Sequence, residues 1–151
     1  ESIILNTEKL KQIKIEKIEE LKTKDIVFTK NSDKFIKYLI SNSIKFCIVT
    51  NTNIDTVNIF KQKLPLLNKI KNWICRDDYN FSKPSPDCYY TAKNKYYNNE
   101  KYIIGIEDSF VGYNSLKHIT DKIFIFNNEE LFKNNDCYLF DNFEQLILQF
   151  Q

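Results

Sequence analysis

The amino-acid sequence predicts an α/β fold in which a Rossmann-like parallel sheet carries helices on both faces. Short apolar runs, typical of buried strands, alternate with longer segments whose apolar residues recur at helical spacing. Strands that alternate with helices imply parallel pairing and right-handed crossovers. Polar residues suited to chemistry also follow two of the predicted strands, as expected where functional groups collect outside strand C-termini. The 151 residues suffice for one domain with a substantial core.

The N-terminal part predicts two helices and one strand-like run. Residues 7–22 form an amphipathic helix among lysines and glutamates. Its apolar positions are Leu10, Ile13, Ile15, Ile18 and Leu21. The first strand-like run is Ile26-Val27-Phe28. Ser32 and Asp33 then start a second helix that extends to Ser41.

The rest of the chain predicts strands and helices in alternation. Asn53 or Asp55 is suited to cap the first of these helices, and Pro65 ends that helix or begins a short successor. In chain order, the predicted elements are strand 45–49, helix 54–63, strand 73–75, helix 87–97, strand 102–106, helix 111–118, strand 123–126 and a closing helix 141–150.

Composition argues against several classes of function. The 22 basic and 20 acidic residues give a net charge of +2 and are spread along the chain, which gives no case for nucleic-acid binding. No apolar stretch approaches the ~20 residues that span a bilayer, so we expect no membrane association. The four cysteines lie too far apart for paired metal-ligand spacing. Cys47 and Cys75 fall in apolar strand-like runs, where reduced thiols favour a cytoplasmic protein.

Two adjacent carboxylates end the most informative apolar run. Residues 101–104 lead into Gly105-Ile106-Glu107-Asp108-Ser109, and Gly112 follows three residues later. A buried strand would deliver Glu107 and Asp108 into a crevice at its C-terminal end. Carboxylate oxygens suit a hard cation such as Mg²⁺, which keeps waters for a phosphate to displace. The alternative is a turn at a strand end with two solvated acids.

Two further segments carry residues suited to hold phosphate. In Cys47-Ile48-Val49-Thr50-Asn51, a hydroxyl and an amide end an apolar strand just before a helix start. An ordinary strand-to-helix turn would use the same residue types. In Ser82-Lys83-Pro84-Ser85-Pro86, two prolines stiffen the backbone and hold Lys83 in a defined direction as a fixed positive charge.

In this order, the three segments resemble motifs two, three and four of the haloacid dehalogenase-like (HAD) phosphohydrolases. The resemblance is closest to the subgroup that contains β-phosphoglucomutase, phosphonoacetaldehyde hydrolase and phosphoglycolate phosphatase. Motif two ends in Thr50, and motif three, a Lys-Pro-x-Pro-Asp-x-Tyr pattern, runs from Lys83 to Tyr89. Motif four is matched by Glu107, Asp108, Ser109 and Gly112. The resemblance implies a HAD-like core over residues 25–151, preceded in residues 1–24 by the last helix of a cap region.

The first motif of that family has no counterpart in this sequence. It is an Asp-x-Asp near the N-terminus whose first aspartate is the nucleophile. The Asp77-Asp78 pair is a poor substitute, because it lies where the family has a connecting loop. Either a segment with the nucleophile lies outside these residues, so that the core lacks its first strand, or the protein has lost catalysis. The joint presence of the other phosphate and metal residues favours the first explanation.

The chemistry implied by the resemblance is phosphoryl transfer through an aspartyl-phosphate. The protein would be a Mg²⁺-dependent phosphohydrolase or phosphomutase that acts on a small phosphorylated metabolite. Thr50 and the backbone N–H of Asn51 would bind phosphate oxygens, and Lys83 would offset negative charge, so Thr50 and Lys83 are the candidate catalytic residues. Asp108 would ligate the metal directly, with Glu107 as a further ligand or as its partner.

Several other residues are assigned structural roles. Ser109 is expected to cap or orient a helix, and His118 to be a packed or surface histidine. The following aromatics are expected to fill core and surface: Tyr79, Phe81, Tyr89, Tyr90, Tyr96 and Tyr97. The alternative function is a catalytically inactive relic that binds phosphate, Mg²⁺ or a protein partner. A receiver-like signalling domain ranks lower, because Lys-Pro-Ser-Pro-Asp followed by Glu-Asp-Ser fits it poorly.

Overall fold

Helices and parallel strands alternate along the chain, which confirms the predicted α/β class. The structure, a computed structural model, describes residues 7–120, 122–126, 132 and 136–151. Its elements are α1 (Thr7–Thr23), α2 (Ser32–Ser41), β1 (Ile48–Val49), α3 (Ile54–Lys63), β2 (Trp73–Ile74), α4 (Asp87–Tyr96), β3 (Ile104–Glu107), α5 (Phe110–Leu116), β4 (Lys122–Phe126), β5 (Tyr138–Phe140) and α6 (Phe143–Gln149). Two 3₁₀ segments, Pro65–Lys69 and Arg76–Asp78, flank β2.

The described strands form two separate parallel sheets. One consists of β1 and β2, and the other has the order β3-β4-β5. The central residues of β4, Ile123, Phe124 and Ile125, are buried because helices cover both faces of the larger sheet. Phe124 packs with α2 and α6 on one face, and Ile123 and Ile125 pack with α5 on the other.

The smaller sheet has its own apolar cluster. Ile74 at the end of β2 is fully buried and packs against Cys88 and Ala92 of α4. Tyr79, which follows the second 3₁₀ segment, completes this cluster. α4 thereby covers the β1-β2 sheet and carries the Lys83 segment at its N-terminal end.

Helix α1 confirms the helix predicted over residues 7–22, but its apolar side chains are largely solvated. Ile13 and Ile15 are 43% and 55% exposed. Ion pairs between neighbouring turns line the helix, including Lys11 with Glu8 and Lys22 with Glu19. The side chain of Leu10, predicted in the apolar stripe, lies outside the described residues. None of the helices in the described part of the chain combines the length and apolarity needed to cross a membrane.

Several predicted strands are shorter or absent. The strand predicted at Ile26-Val27-Phe28 is wrong, because this run pairs with no strand in the described part of the chain and Val27 is 82% exposed. β1 begins at Ile48 instead of residue 45, and β3 begins at Ile104 instead of residue 102. Sequence patterning also missed β5, whose three residues become a strand only by pairing with β4.

An apolar groove of about 710 Å³ lies between the two sheets. Residues 44–49, which lead through β1, line one side, and residues 102–106, which lead through β3, line the other. Phe35 and Leu39 of α2 also contribute to its wall. The groove therefore runs along the facing edges of β1 and β3.

Candidate active site

All five site residues predicted from the sequence line a single cavity of about 500 Å³. The cavity lies at the C-terminal ends of β1 and β3, where parallel strands are expected to deliver functional groups. Thr50 and Asn51 come from the end of β1, Glu107 and Asp108 from the end of β3, and Lys83 from the loop before α4.

The end of β1 presents hydrogen-bond donors to the cavity. The Thr50 Oγ1 accepts a bond from the backbone N–H of Thr52 at 3.1 Å, which tightens the turn and leaves the hydroxyl proton available as a donor. Asn53, as predicted, caps α3: its side chain accepts a bond from the Thr56 N–H at 3.1 Å. The turn between β1 and α3 is thus fixed at both ends.

Lys83 lies almost buried between the two sheets. Its side chain is 10% exposed, and its Nζ donates to three acceptors: the backbone O of Val49 at 3.3 Å, the Tyr89 hydroxyl at 2.9 Å and the Glu107 carboxylate. An ammonium group has three N–H donors, so these contacts account for all of them. The direction predicted for Lys83 is therefore set by partners on both sheets as well as by the prolines.

The loop that carries Lys83 is held by its own helix and by α5. Asp87, in the first turn of α4, accepts bonds from the backbone N–H groups of Asn80 at 2.8 Å and Phe81 at 2.9 Å. Ser115 of α5 is fully buried, and its hydroxyl donates to the backbone O of Ser85 at 2.6 Å. These contacts join the loop to elements on both sides.

Glu107 is directed toward Lys83. Its side chain is 7% exposed, and one carboxylate oxygen accepts bonds from both Lys83 and the Tyr89 hydroxyl. Burial, followed by the charge of Glu107, raises the pKa of Tyr89, so its phenol stays a donor. A Cβ on Gly112 would fall far closer than 3.0 Å to the Glu107 carboxylate, so only glycine leaves space for this arrangement.

Asp108 differs from Glu107 in being exposed at the cavity. Both offer oxygen ligands, the type that Mg²⁺ prefers, and Mg²⁺ is often held by one or two carboxylates together with water and substrate phosphate. Among the described residues, no group of three or more His, Cys, Asp or Glu side chains could hold a metal ion. A Mg²⁺ ion at this cavity would thus need water and substrate phosphate besides Asp108 and Glu107, the two carboxylates that line it.

Two structural predictions at the site are confirmed, and two residues were missed. Ser109 caps α5 by accepting a bond from the Gly112 N–H at 3.1 Å, and His118 is an exposed surface residue outside the cavity. Tyr79 and Tyr89 pack with the apolar core, as expected, and in addition place their hydroxyls on site residues. For Tyr89 the available signal was its place in the Lys-Pro-x-Pro-Asp-x-Tyr pattern, whereas Tyr79 has no sequence signal.

Comparisons with known proteins agree with this geometry. Residues 2–123 match the family described as haloacid dehalogenase-like hydrolase. The chain resembles a hydrolase from Pseudomonas syringae with a TM-score of 0.78 and 20% identity, covering 97% of this chain and 71% of that one. It also resembles a family IA, variant 3 HAD hydrolase from Entamoeba histolytica, with a TM-score of 0.76, 23% identity and coverage of 93% and 68%.

A third similar structure is CbbY from Rhodobacter sphaeroides, solved in complex with xylulose-(1,5)bisphosphate. Its TM-score is 0.75 at 19% identity, and the match covers 97% of this chain and 68% of that one. At such identities these structures establish similarity of fold. No curated protein sequence matches the chain.

Proposed function

The chain belongs to the haloacid dehalogenase-like hydrolase family. We propose that the protein is a Mg²⁺-dependent phosphohydrolase or phosphomutase. Its substrate would be a small phosphorylated metabolite, a class represented by the bisphosphate bound to the similar CbbY structure. The observation that carries the proposal is the single cavity that gathers hydrogen-bond donors, a lysine and two carboxylates at two strand ends. A phosphate bound to Mg²⁺ needs this combination of groups.

Each cavity residue has a distinct part in this proposal. The Thr50 hydroxyl and the backbone N–H of Asn51 donate to phosphate oxygens, and Lys83 contributes positive charge next to them. Asp108 holds the metal, and Glu107 holds Lys83 while sharing in the metal site. When bound, Mg²⁺ would neutralise charge on the transferring phosphoryl group.

The nucleophile in this proposal is an aspartate from a segment outside residues 1–151. Thr50, Lys83, Glu107 and Asp108 are suited to bind phosphate or metal, and none of them is placed as the nucleophile. An aspartate that attacks phosphorus would form an aspartyl-phosphate, which water or a second hydroxyl then resolves. That aspartate must reach the cavity between Thr50 and Asp108.

The groove between the sheets supports delivery of this aspartate on a parallel strand. The backbone N–H groups of Ile48 and Thr50 bond to the β2 side. Parallel pairing alternates along a strand, so the N–H and C=O of Val49 face the opposite edge, toward the groove. The groove follows β1 and β3, and the cavity lies at the C-terminal ends of both. A strand parallel to them would therefore end in the cavity.

Two further parts of the proposal concern organisation and location. Residues 7–23 would be the last helix of a cap region, and the exposed Ile13 and Ile15 are the surface on which other cap elements would pack. The core would comprise residues 25–151 and be completed by the added strand. The four cysteines are free thiols, which supports a reducing compartment such as the cytoplasm.

Hydrolysis of an aryl phosphate tests this function. A longer protein, made of residues 1–151 and the sequence encoded upstream of residue 1, should hydrolyse p-nitrophenyl phosphate in the presence of Mg²⁺. Residues 1–151 alone should show no turnover. Lys83→Met should lower the rate of the longer protein by ~10²- to 10³-fold, because one preorganised electrostatic contact is lost. Lys122→Met, on the exposed start of β4, is the control. A longer protein that binds phosphate without turnover would indicate the relic, and turnover by residues 1–151 alone would refute the assigned roles.

A further inference from the structure

Tyr79 is a core tyrosine whose hydroxyl reaches the phosphate side of the cavity. Its side chain is 7% exposed and packs with Ile74, Cys88 and Ala92. The hydroxyl lies 2.6 Å from the Asn51 Oδ1 and 3.0 Å from the backbone O of Thr50. Its single proton is thus directed at the turn that follows β1, with the shorter contact to the asparagine side chain.

Two donors determine how the Asn51 amide is oriented. The Tyr79 hydroxyl and the backbone N–H of Lys83, at 3.3 Å, both meet the Asn51 Oδ1. With its carbonyl oxygen held by both donors, the amide turns its N–H₂ group away from them. Asn51 lines the cavity, and within the described part of the chain no hydrogen bond is formed by its Nδ2.

We propose that Tyr79 is a positioning residue that holds the Asn51 amide with its N–H₂ group toward the cavity, where Asn51 donates to a phosphate oxygen beside Thr50. This inference rests on the proposed function, because it adds a side-chain donor to the same phosphate site. A side-chain donor requires asparagine at residue 51, whereas any residue except proline would supply the backbone N–H.

The chemistry of the phenol supports this role. Burial raises the pKa of Tyr79 to about 12, so the hydroxyl keeps its proton and remains a donor at neutral pH. A donor fixed in the core orients the amide before phosphate arrives, and a preorganised donor loses less conformational freedom on binding than a mobile one. The core thereby supports a donor on an exposed turn.

Tyr96 provides a matched control within the same cluster. Its ring packs against the cluster that contains Tyr79, and its hydroxyl donates to the backbone O of Trp73 at 3.2 Å. Tyr96→Phe and Tyr79→Phe therefore each remove one phenol-to-backbone contact from the smaller sheet. Only Tyr79 also contacts a residue of the cavity.

The test measures binding of inorganic phosphate, with and without Mg²⁺, by calorimetry on the 151-residue protein. Tyr79→Phe should weaken phosphate binding by about tenfold, as expected for losing a well-placed donor to an anion, whereas Tyr96→Phe should stay within about twofold of the unsubstituted protein. Asn51→Ala should weaken binding similarly. In the Asn51→Ala background, Tyr79→Phe should have no further effect, because Tyr79 acts through Asn51.

A second readout is the side-chain amide signal of Asn51 in a ¹⁵N–¹H spectrum, assigned by its loss in Asn51→Asp. Tyr79→Phe should move this signal, and Tyr96→Phe should not. If Tyr79→Phe does not fold, loss of phosphate binding in Asn51→Ala and Asn51→Asp tests whether the Asn51 amide binds phosphate. Unchanged phosphate affinity in Tyr79→Phe, or an effect of equal size in the Asn51→Ala background, would overturn the inference. If neither the 151-residue protein nor the form extended by its upstream sequence binds phosphate, the proposed function fails, and the amide signal still decides whether Tyr79 orients Asn51.

Discussion

At the scale of single residues, the site depends on a nearly buried ion pair. Lys83 and Glu107 are 10% and 7% exposed, and Tyr89 bonds to both. A buried pair gains little over an apolar pair of the same shape, yet removing one partner leaves an uncompensated charge. The pair therefore contributes more to the position of Lys83 at the cavity than to the stability of the fold.

Removing both charges of this pair should cost less than the sum of the costs of removing each alone. Glu107→Gln leaves the Lys83 ammonium without a counter-charge and should lower the free energy of unfolding by about 3 kcal/mol, measured by urea denaturation. Lys83→Met combined with Glu107→Gln should cost less than the sum of the single changes. Glu144→Gln, which breaks the solvent-exposed pair with Lys34, is the control and should change stability much less. Additive effects at positions 83 and 107 would show that the two charges are not coupled.

Metal binding should depend on Asp108 more than on Glu107. Asp108 is exposed at the cavity, whereas the Glu107 side chain is almost buried, with its carboxylate bonded to Lys83 and Tyr89. Asp108→Asn should weaken Mg²⁺ binding by at least about tenfold in calorimetric titration, while Asp55→Asn, in the first turn of α3 and outside the cavity lining, should leave it unchanged. Equal affinity in Asp108→Asn and the unsubstituted protein would remove Asp108 as the ligand.

Sequence reasoning predicted which residues meet at the cavity better than it predicted the residues that hold them in place. Thr50, Lys83 and Asp108 lie in local motifs, so spacing along the chain was enough to find them and to expect them together. Tyr79 contacts Asn51 from 28 positions away, and Tyr89 contacts Glu107 from 18 positions away. Such contacts depend on how segments far apart in the sequence pack together, and of the two tyrosines Tyr89 alone is marked by a local pattern, the one that begins at Lys83.

At the scale of elements, helix boundaries were predictable where a cap residue sets them. Helix α3 spans the predicted residues 54–63 because Asn53 bonds to its first turn, whereas α6, predicted from residue 141 without a cap residue, begins at Phe143 after the cap Asn142. Strands were less predictable, because a strand is defined by its partners. Residues 45–47 have strand composition but begin no ladder, and Ile26-Val27-Phe28 has none.

The close approach of helix α5 to β3 requires glycine at residue 105, where a Cβ would meet Leu116, and also at residue 112. A Cβ at this position would collide with the Glu107 carboxylate. Gly112→Ala should therefore lower the free energy of unfolding by about 1–3 kcal/mol despite the higher helix propensity of alanine, in thermal or urea unfolding. Asn114→Ala, on the same helix without this contact, is the matched control.

Combining Gly112→Ala with Glu107→Ala checks the cause of that effect. Truncating the carboxylate removes the atoms with which the new methyl group collides, so Gly112→Ala should cost less in the Glu107→Ala background. An equal cost in both backgrounds would assign the effect to the helix backbone instead of the contact with Glu107.

At the scale of the whole molecule, two parallel sheets share one site across an apolar groove. The cavity takes its donors from the β1 side and its carboxylates from the β3 side. The Lys83 side chain spans the two, since it bonds to the Val49 backbone and to Glu107. The relative position of the two sheets therefore determines the geometry of the site.

A strand that enters the groove should compete with Lys83 for the backbone O of Val49. This carbonyl faces the groove, and the Lys83 Nζ reaches it at 3.3 Å, the longest of its three bonds. A parallel strand would donate a backbone N–H to the same oxygen and release one N–H of Lys83 toward the cavity. Completing the sheet would thus make the lysine available to phosphate in the same step.

Hydrogen exchange on the 151-residue protein and on a form extended by its upstream sequence measures this coupling. Exchange at the Val49 amide should slow in the extended form by at least about tenfold, because a strand edge that faced the groove becomes paired. The Thr50 amide, already bonded to Ile74, should change much less and serves as the internal control. A proline placed at the centre of the added strand should abolish the protection, since it removes a ladder donor and prevents regular pairing. Slower exchange confined to α2, with Val49 unchanged, would mean that the added segment covers the groove from outside without entering the sheet, and the delivery of a nucleophile on a parallel strand would be wrong.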